Sequence, residues 1–116
     1  MDLINMAPGQ IVTRQIEAYS NRDIEANMVL FSDDVKMVRF SDGHILIDGK
    51  EACREMYHQL FKNSPDLFAE VINRIDFDNK IILHEYVQGR NGSSEKTAQL
   101  IIFEIVNNKI AKIYRL

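Results

Sequence analysis

From Gln10, apolar residues recur at Ile11, Val12, Ile16 and Tyr19 with helical spacing, while Arg14, Glu17 and Asn21 take the opposite side. Pro8-Gly9 closes a short lead, expected to be flexible over residues 1–8. Asp23 is placed to cap a second short helix carrying Ile24, Met28, Leu30 and Phe31, which Ser32-Asp33-Asp34 stops. Val35 to Phe40 reads as a strand, Ser41-Asp42-Gly43-His44 as a hairpin turn, and Ile45-Leu46-Ile47 as the returning strand. Asp48-Gly49 opens a third helix to about Asn63, with Cys53, Met56, Tyr57, Leu60 and Phe61 on one face. Pro65 ends it, because proline disfavours helical geometry in the residue before it.

Beyond that point the period changes from 3.6 to two, the mark of half-buried strands. Strands are expected at Leu67 to Phe77, Lys80 to Gly89, Glu95 to Val106 and Lys109 to Leu116, with turns at Asp78-Asn79 and Asn107-Asn108 and a loop over Arg90-Asn91-Gly92-Ser93-Ser94. Two-residue turns enforce antiparallel neighbours. Helices first and long strands last make the fold class α+β, a curved antiparallel sheet wrapped around three N-terminal helices. The 116 residues form one domain, 1–116, large enough for one core.

Composition narrows the partners. With 14 Lys and Arg against 17 Asp and Glu, the net charge is −3, and the cations are scattered. Nucleic acid, which needs clustered positive charge, is not an expected partner. No run reaches the length of a membrane span and no segment is a basic amphipathic helix, so no membrane partner is expected either. Met1 to Met6 lacks the basic start and apolar stretch of a secretory signal, and Cys53 is the only cysteine, so a cytoplasmic location is the expectation.

Three segments carry a family resemblance. Ala18-Tyr19-Ser20-Asn21-Arg22-Asp23-Ile24 leading to Leu30-Phe31-Ser32-Asp33-Asp34-Val35, then Gly49-Lys50-Glu51-Ala52, and the ending Asn108-Lys109-Ile110-Ala111-Lys112-Ile113 resemble the nuclear transport factor 2-like superfamily, in its polyketide-cyclase-like (SnoaL-like) and steroid-isomerase-like branch. The resemblance runs from about Gln10 to Leu116 and implies a cone-shaped fold with an apolar pocket at its open end. It specifies a fold better than a function, since the branch holds binding proteins, cyclases, isomerases and dehydratases.

The steroid-isomerase members of that branch use a carboxylate base and two acidic donors. Aligned through Asp33-Asp34, the donor tyrosine falls on Gln15, the base on Arg39 within one residue, and the second donor near Ile101. An amide, a cation and an alkyl group cannot fill those roles, and arginine is no base because its pKa exceeds about 12. Isomerisation by that carboxylate mechanism is not expected.

The remaining candidates are His84, Arg39 and Tyr57 for chemistry, and Gln15, Phe31, Phe40, Met56, Leu60, Gln99, Ile101 and Phe103 for ligand binding. His84 shares a strand face with Ile82 and Tyr86, opposite Ile81, Leu83 and Val87; it is either the pocket's acid or base or a histidine bonded at a sheet interface. Arg39 either points inward to grip a carboxylate or carbonyl, or is a solvated strand charge. Tyr57 either offers its hydroxyl to a ligand or packs in the core. Gln15 and Asn73 are further polar groups that could turn inward. His44 and His58 lack spaced partners, and Asp76-Phe77-Asp78-Asn79 lacks the glycine and distal glutamate of a hand-type calcium loop, so no metal or cofactor is expected. Cys53, within an apolar stripe, reads as an inert buried thiol.

The sequence therefore points to a small-molecule binding protein for an apolar ligand, with an isomerase or cyclase acting on a lipophilic carbonyl compound as the alternative, and an interaction module as a third. Apolar bulk on both sheet faces adds an expected homodimer through the outer face.

Overall fold

The computed structural model describes residues 6–116, and most of the 1–8 lead lies outside them. Three helices and six strands follow in the order α1 (Pro8–Ser20), α2 (Ile24–Met28), β1 (Phe31–Arg39), β2 (Ile45–Asp48), α3 (Lys50–Lys62), β3 (Phe68–Phe77), β4 (Lys80–Gln88), β5 (Thr97–Val106) and β6 (Lys109–Arg115).

Helix α1 begins two residues earlier than the periodicity suggests. Pro8 belongs to the helix rather than to a lead, because a first-turn residue has no intrahelical N–H bond to lose and proline's φ is already helical. The Gln10 side chain accepts the Ala7 N–H at 2.8 Å. Arg74 of β3 fastens the same end, donating to the Gly9 carbonyl at 2.7 Å and to Thr13 Oγ1 at 2.8 Å. Asp23 caps α2 as expected, accepting the Ala26 N–H at 3.1 Å.

Two readings need correction. Leu30 and Phe31 are not helical: β1 starts at Phe31 and runs through Ser32-Asp33-Asp34, where its pairing with β6 slips register between Phe31 and Lys36. The helix has already ended at Met28, so the polar triplet neither stops it nor delays the strand. The sheet is also mixed rather than wholly antiparallel. Its order is β2-β1-β6-β5-β4-β3, with β1 and β6 parallel and every other pair antiparallel. Asn107 and Asn108 both adopt positive φ in the β5–β6 hairpin, the geometry a two-residue turn needs.

The helices cover one face of the sheet, α1 lying on β3 and β4 and α3 on β1 and β2. Along β4 the alternation is strict: Ile81, Leu83, Glu85 and Val87 are buried beneath the helices, while Ile82, His84 and Tyr86 face away. The core between the layers joins Ile11, Val12, Met28, Leu83, Ile110 and Ile113. Burial on this scale, at about 25 cal/mol per Å² of apolar surface, is what holds a domain of this size together.

Candidate functional site

The helices do not fill the whole concave face. Between α1, α3 and the inner side of the sheet lies a cavity of about 360 Å³. Its apolar wall comes from both layers. Ile16 lies on α1, Met56 and Leu60 one turn apart on α3, and Ile101 and Phe103 two apart on β5 with Ile113 of β6 beside them. Strands and helices thus present their buried periods to one space.

The polar groups converge from three directions. Glu85 enters from β4 and is only 4% exposed. Gln99, its register partner on β5, donates its amide to Glu85 Oε1 at 2.9 Å. Arg90, on a single 3-10 turn (Arg90–Gly92) after β4, donates to Gln99 Oε1 at 2.9 Å and lies beside the Tyr19 hydroxyl. The result is a relay running Arg90, Gln99, Glu85. Two local features place that turn. Gly89 has φ +81°, and any Cβ there would collide with the Asp66 backbone. The Asn91 N–H donates to Ser64 Oγ at 2.7 Å, tying the loop to the end of α3.

Burial shifts the ionisable groups of the cavity. It raises the pKa of Glu85, with the Gln99 hydrogen bond and the Arg90 charge pulling the other way. It also raises Tyr19, which Arg90 partly offsets, and pushes Tyr57 well above the ordinary tyrosine range. Both tyrosines are therefore neutral hydroxyl donors at physiological pH. Their rings meet edge to face with centroids 6.3 Å apart, and both line the cavity.

The residues singled out from sequence divide into two groups. Gln15, Met56, Tyr57, Leu60, Gln99, Ile101 and Phe103 all border the cavity, although the Gln15 Nε2 is committed to Asn27 Oδ1 at 3.1 Å. Four do not. His84 faces the outer side, where its Nδ1 lies 3.2 Å from Asn73 Nδ2 and its ring stands by Tyr86; period-two geometry forbids it the pocket once Glu85 is inside. Arg39 sits at the end of β1 and turns to Asp42 in a bidentate pair of 3.0 and 2.9 Å, which holds the Asp42 carboxyl down at about 2. Phe40, beyond the strand end, is 59% exposed. Phe31 is buried in the core behind Tyr57, its ring 5.6 Å away, rather than at the cavity. Cys53 is buried, and burial pushes its thiol up to about 12, which leaves it a poor nucleophile.

Sequence reasoning missed Glu85, Tyr19, Arg90 and Arg115, all cavity-lining. A signal for Glu85 was present: it is the one charge in the alternating set Ile81, Leu83, Glu85, Val87. Among the described residues no cluster of three or more metal-type ligands occurs, and no helix is long and apolar enough to cross a membrane.

Solved structures resemble the whole chain. One from Novosphingobium aromaticivorans, described as an uncharacterised cystatin-fold protein, superposes with a TM-score of 0.87 at 18% identity, covering 97% of this chain and 99% of its own. A candidate polyketide cyclase from Sinorhizobium meliloti gives 0.77 at 19% identity over 100% of both chains. A nuclear transport factor 2-like protein of unknown function from Cytophaga hutchinsonii gives 0.78 at 12% identity, covering 97% and 90%. At these identities the likeness is one of fold. No curated protein matches the sequence. The sequence profile of the SnoaL-like domain matches residues 12–113, nearly the entire chain, and the protein therefore belongs to the SnoaL-like family within the nuclear transport factor 2-like fold.

Proposed function

We propose that this domain binds an apolar small molecule in the concave cavity. The observation that carries the reading is a space of about 360 Å³ with aliphatic and aromatic walls into which a nearly buried carboxyl projects, held by the Gln99 amide. Cavities of that size with few convergent polar groups are the usual small-molecule sites. A fluorescence titration with 2-naphthylmethanol tests it. Saturable binding is expected in the native protein, weakened at least about tenfold in Ile101→Trp, whose melting temperature stays close to native. Undiminished binding by that variant would remove the reading.

Glu85 supports a second reading, an isomerase or cyclase acting on a lipophilic carbonyl compound. A carboxylate whose pKa is raised by burial is a stronger base than a solvated one, and the Tyr19 and Tyr57 hydroxyls could steady a developing enolate oxygen. The carboxyl lies on β4, not at the strand position that Arg39 occupies, so this differs from the steroid-isomerase arrangement. Deuterium exchange at the carbon beside the carbonyl of 2-tetralone, in deuterated water, measures it. Rates equal in native protein and Glu85→Gln would exclude it.

We also propose a homodimer through the outer sheet face. Ile75 and Phe77 there are 57% and 66% exposed, alongside Phe68 and Tyr86. Exposed apolar area of this kind marks an interaction surface. Light scattering should give twice the 13.4 kDa chain mass. The lone buried thiol is consistent with a cytoplasmic location.

A further inference from the structure

The pocket holds more fixed positive charge than its protein partners neutralise. Arg115, the last residue of β6, faces the concave side opposite Ile101 and lines the cavity half-buried. Among the described residues its guanidinium makes no hydrogen bond and no salt bridge; it lines the same cavity as Tyr19 and Tyr57, whose pKa values its charge draws down. Arg90 donates to Gln99 and approaches Tyr19, yet it too has no carboxylate in ion-pair contact. Arg39 stands beside Arg115 in the parallel register, but Asp42 already neutralises it. Among the described residues the only acidic group lining the cavity is Glu85, so two arginines share it with a single carboxyl.

A guanidinium against apolar walls is costly unless an anion completes it. Its planar fork matches a carboxylate in bidentate geometry. We propose that Arg115, backed by Arg90, is the anion-recognising end of this pocket, and that the ligand is a compact apolar carboxylic acid bound as its carboxylate. The apolar body lies against Met56, Leu60, Ile101 and Phe103. This deepens the pocket reading and rests on it.

Three probes with one ring system separate the two claims: 2-naphthoate, 2-naphthamide and 2-naphthylmethanol, titrated at pH 7.5 by fluorescence and calorimetry. The acid should bind about tenfold or more tightly than the amide, as one charge-assisted bidentate contact provides. Arg115→Gln should erase that preference, and Arg115→Lys should keep part of it by charge alone. Melting curves of both variants establish that they fold. Equal affinity for acid and amide, or an undiminished preference in Arg115→Gln, would overturn the anion inference while the pocket stands. Failure of all three probes to bind native protein would overturn both.

Discussion

The two faces of β4 were built from the same strand by alternate residues, and they have opposite characters. The inner set, Ile81, Leu83, Glu85 and Val87, is at most 4% exposed and closes the core and the cavity floor. The outer set, Ile82, His84 and Tyr86, is open to a neighbour or to water. The residue that looks most reactive in sequence, a histidine, lies on the open side. The adjacent glutamate lies in the cavity instead, and burial raises its pKa. A shift of one residue in register would exchange the two faces completely.

The comparison can be broken at four points. Leu83→Ala should cost about 3 kcal/mol in urea unfolding, as large-to-small changes at fully buried sites do, whereas Tyr86→Ala on the outer face should cost less than about 1 kcal/mol. Similar values for both would mean that the faces are not distinguished by packing. Next in size, Ile101→Trp should weaken 2-naphthylmethanol binding by at least about tenfold, because it fills a cavity bordered by Ile101.

The third concerns protons. The Glu85 pKa is raised in the folded state, so between its unfolded and folded values the native protein holds more protons than the unfolded chain. Stability from this group is therefore retained at low pH and lost as pH rises through the folded value. Glu85→Gln removes that dependence and keeps an acceptor for Gln99. Its melting temperature should exceed the native one by a few degrees at pH 8 and by little at pH 4. A gain that is larger at pH 4 would contradict a desolvated carboxyl. Smallest of all, His84→Ala should leave 2-naphthylmethanol affinity within about twofold, because the ring is on the other side of the sheet. A pronounced loss would put His84 back in contact with the site.

Most of the element order follows from local periodicity, since helices and half-buried strands repeat at different intervals. Gly43, at φ +73°, turns the β1–β2 hairpin where it was expected, and the Asn107-Asn108 pair turns the last one. The start of β1 was hidden because Ser32, Asp33 and Asp34 are polar for a local reason, a register slip against β6, that no short window contains. The parallel β1–β6 pairing joins segments some 75 residues apart, which periodicity cannot report. At the site, helical spacing put Met56 with Leu60, and strand spacing carried Gln99 and Phe103 along with Ile101, which the family resemblance had turned inward. Arg90 and Arg115 escaped notice because each is the terminal residue of its segment, where alternation no longer says which way a side chain turns; Arg39 shows that such a position can equally turn away.

The position of β6 has a consequence in time as well as in space. It lies between β1 and β5, so it joins the β1–β2 hairpin to the other three strands, yet it follows all five of them in the chain. Until Lys109–Arg115 emerges, the nascent chain carries two incomplete sheets whose facing edges are unsatisfied and open to other chains. Closure then depends on contacts distant in sequence, which slows folding relative to helical domains of the same size.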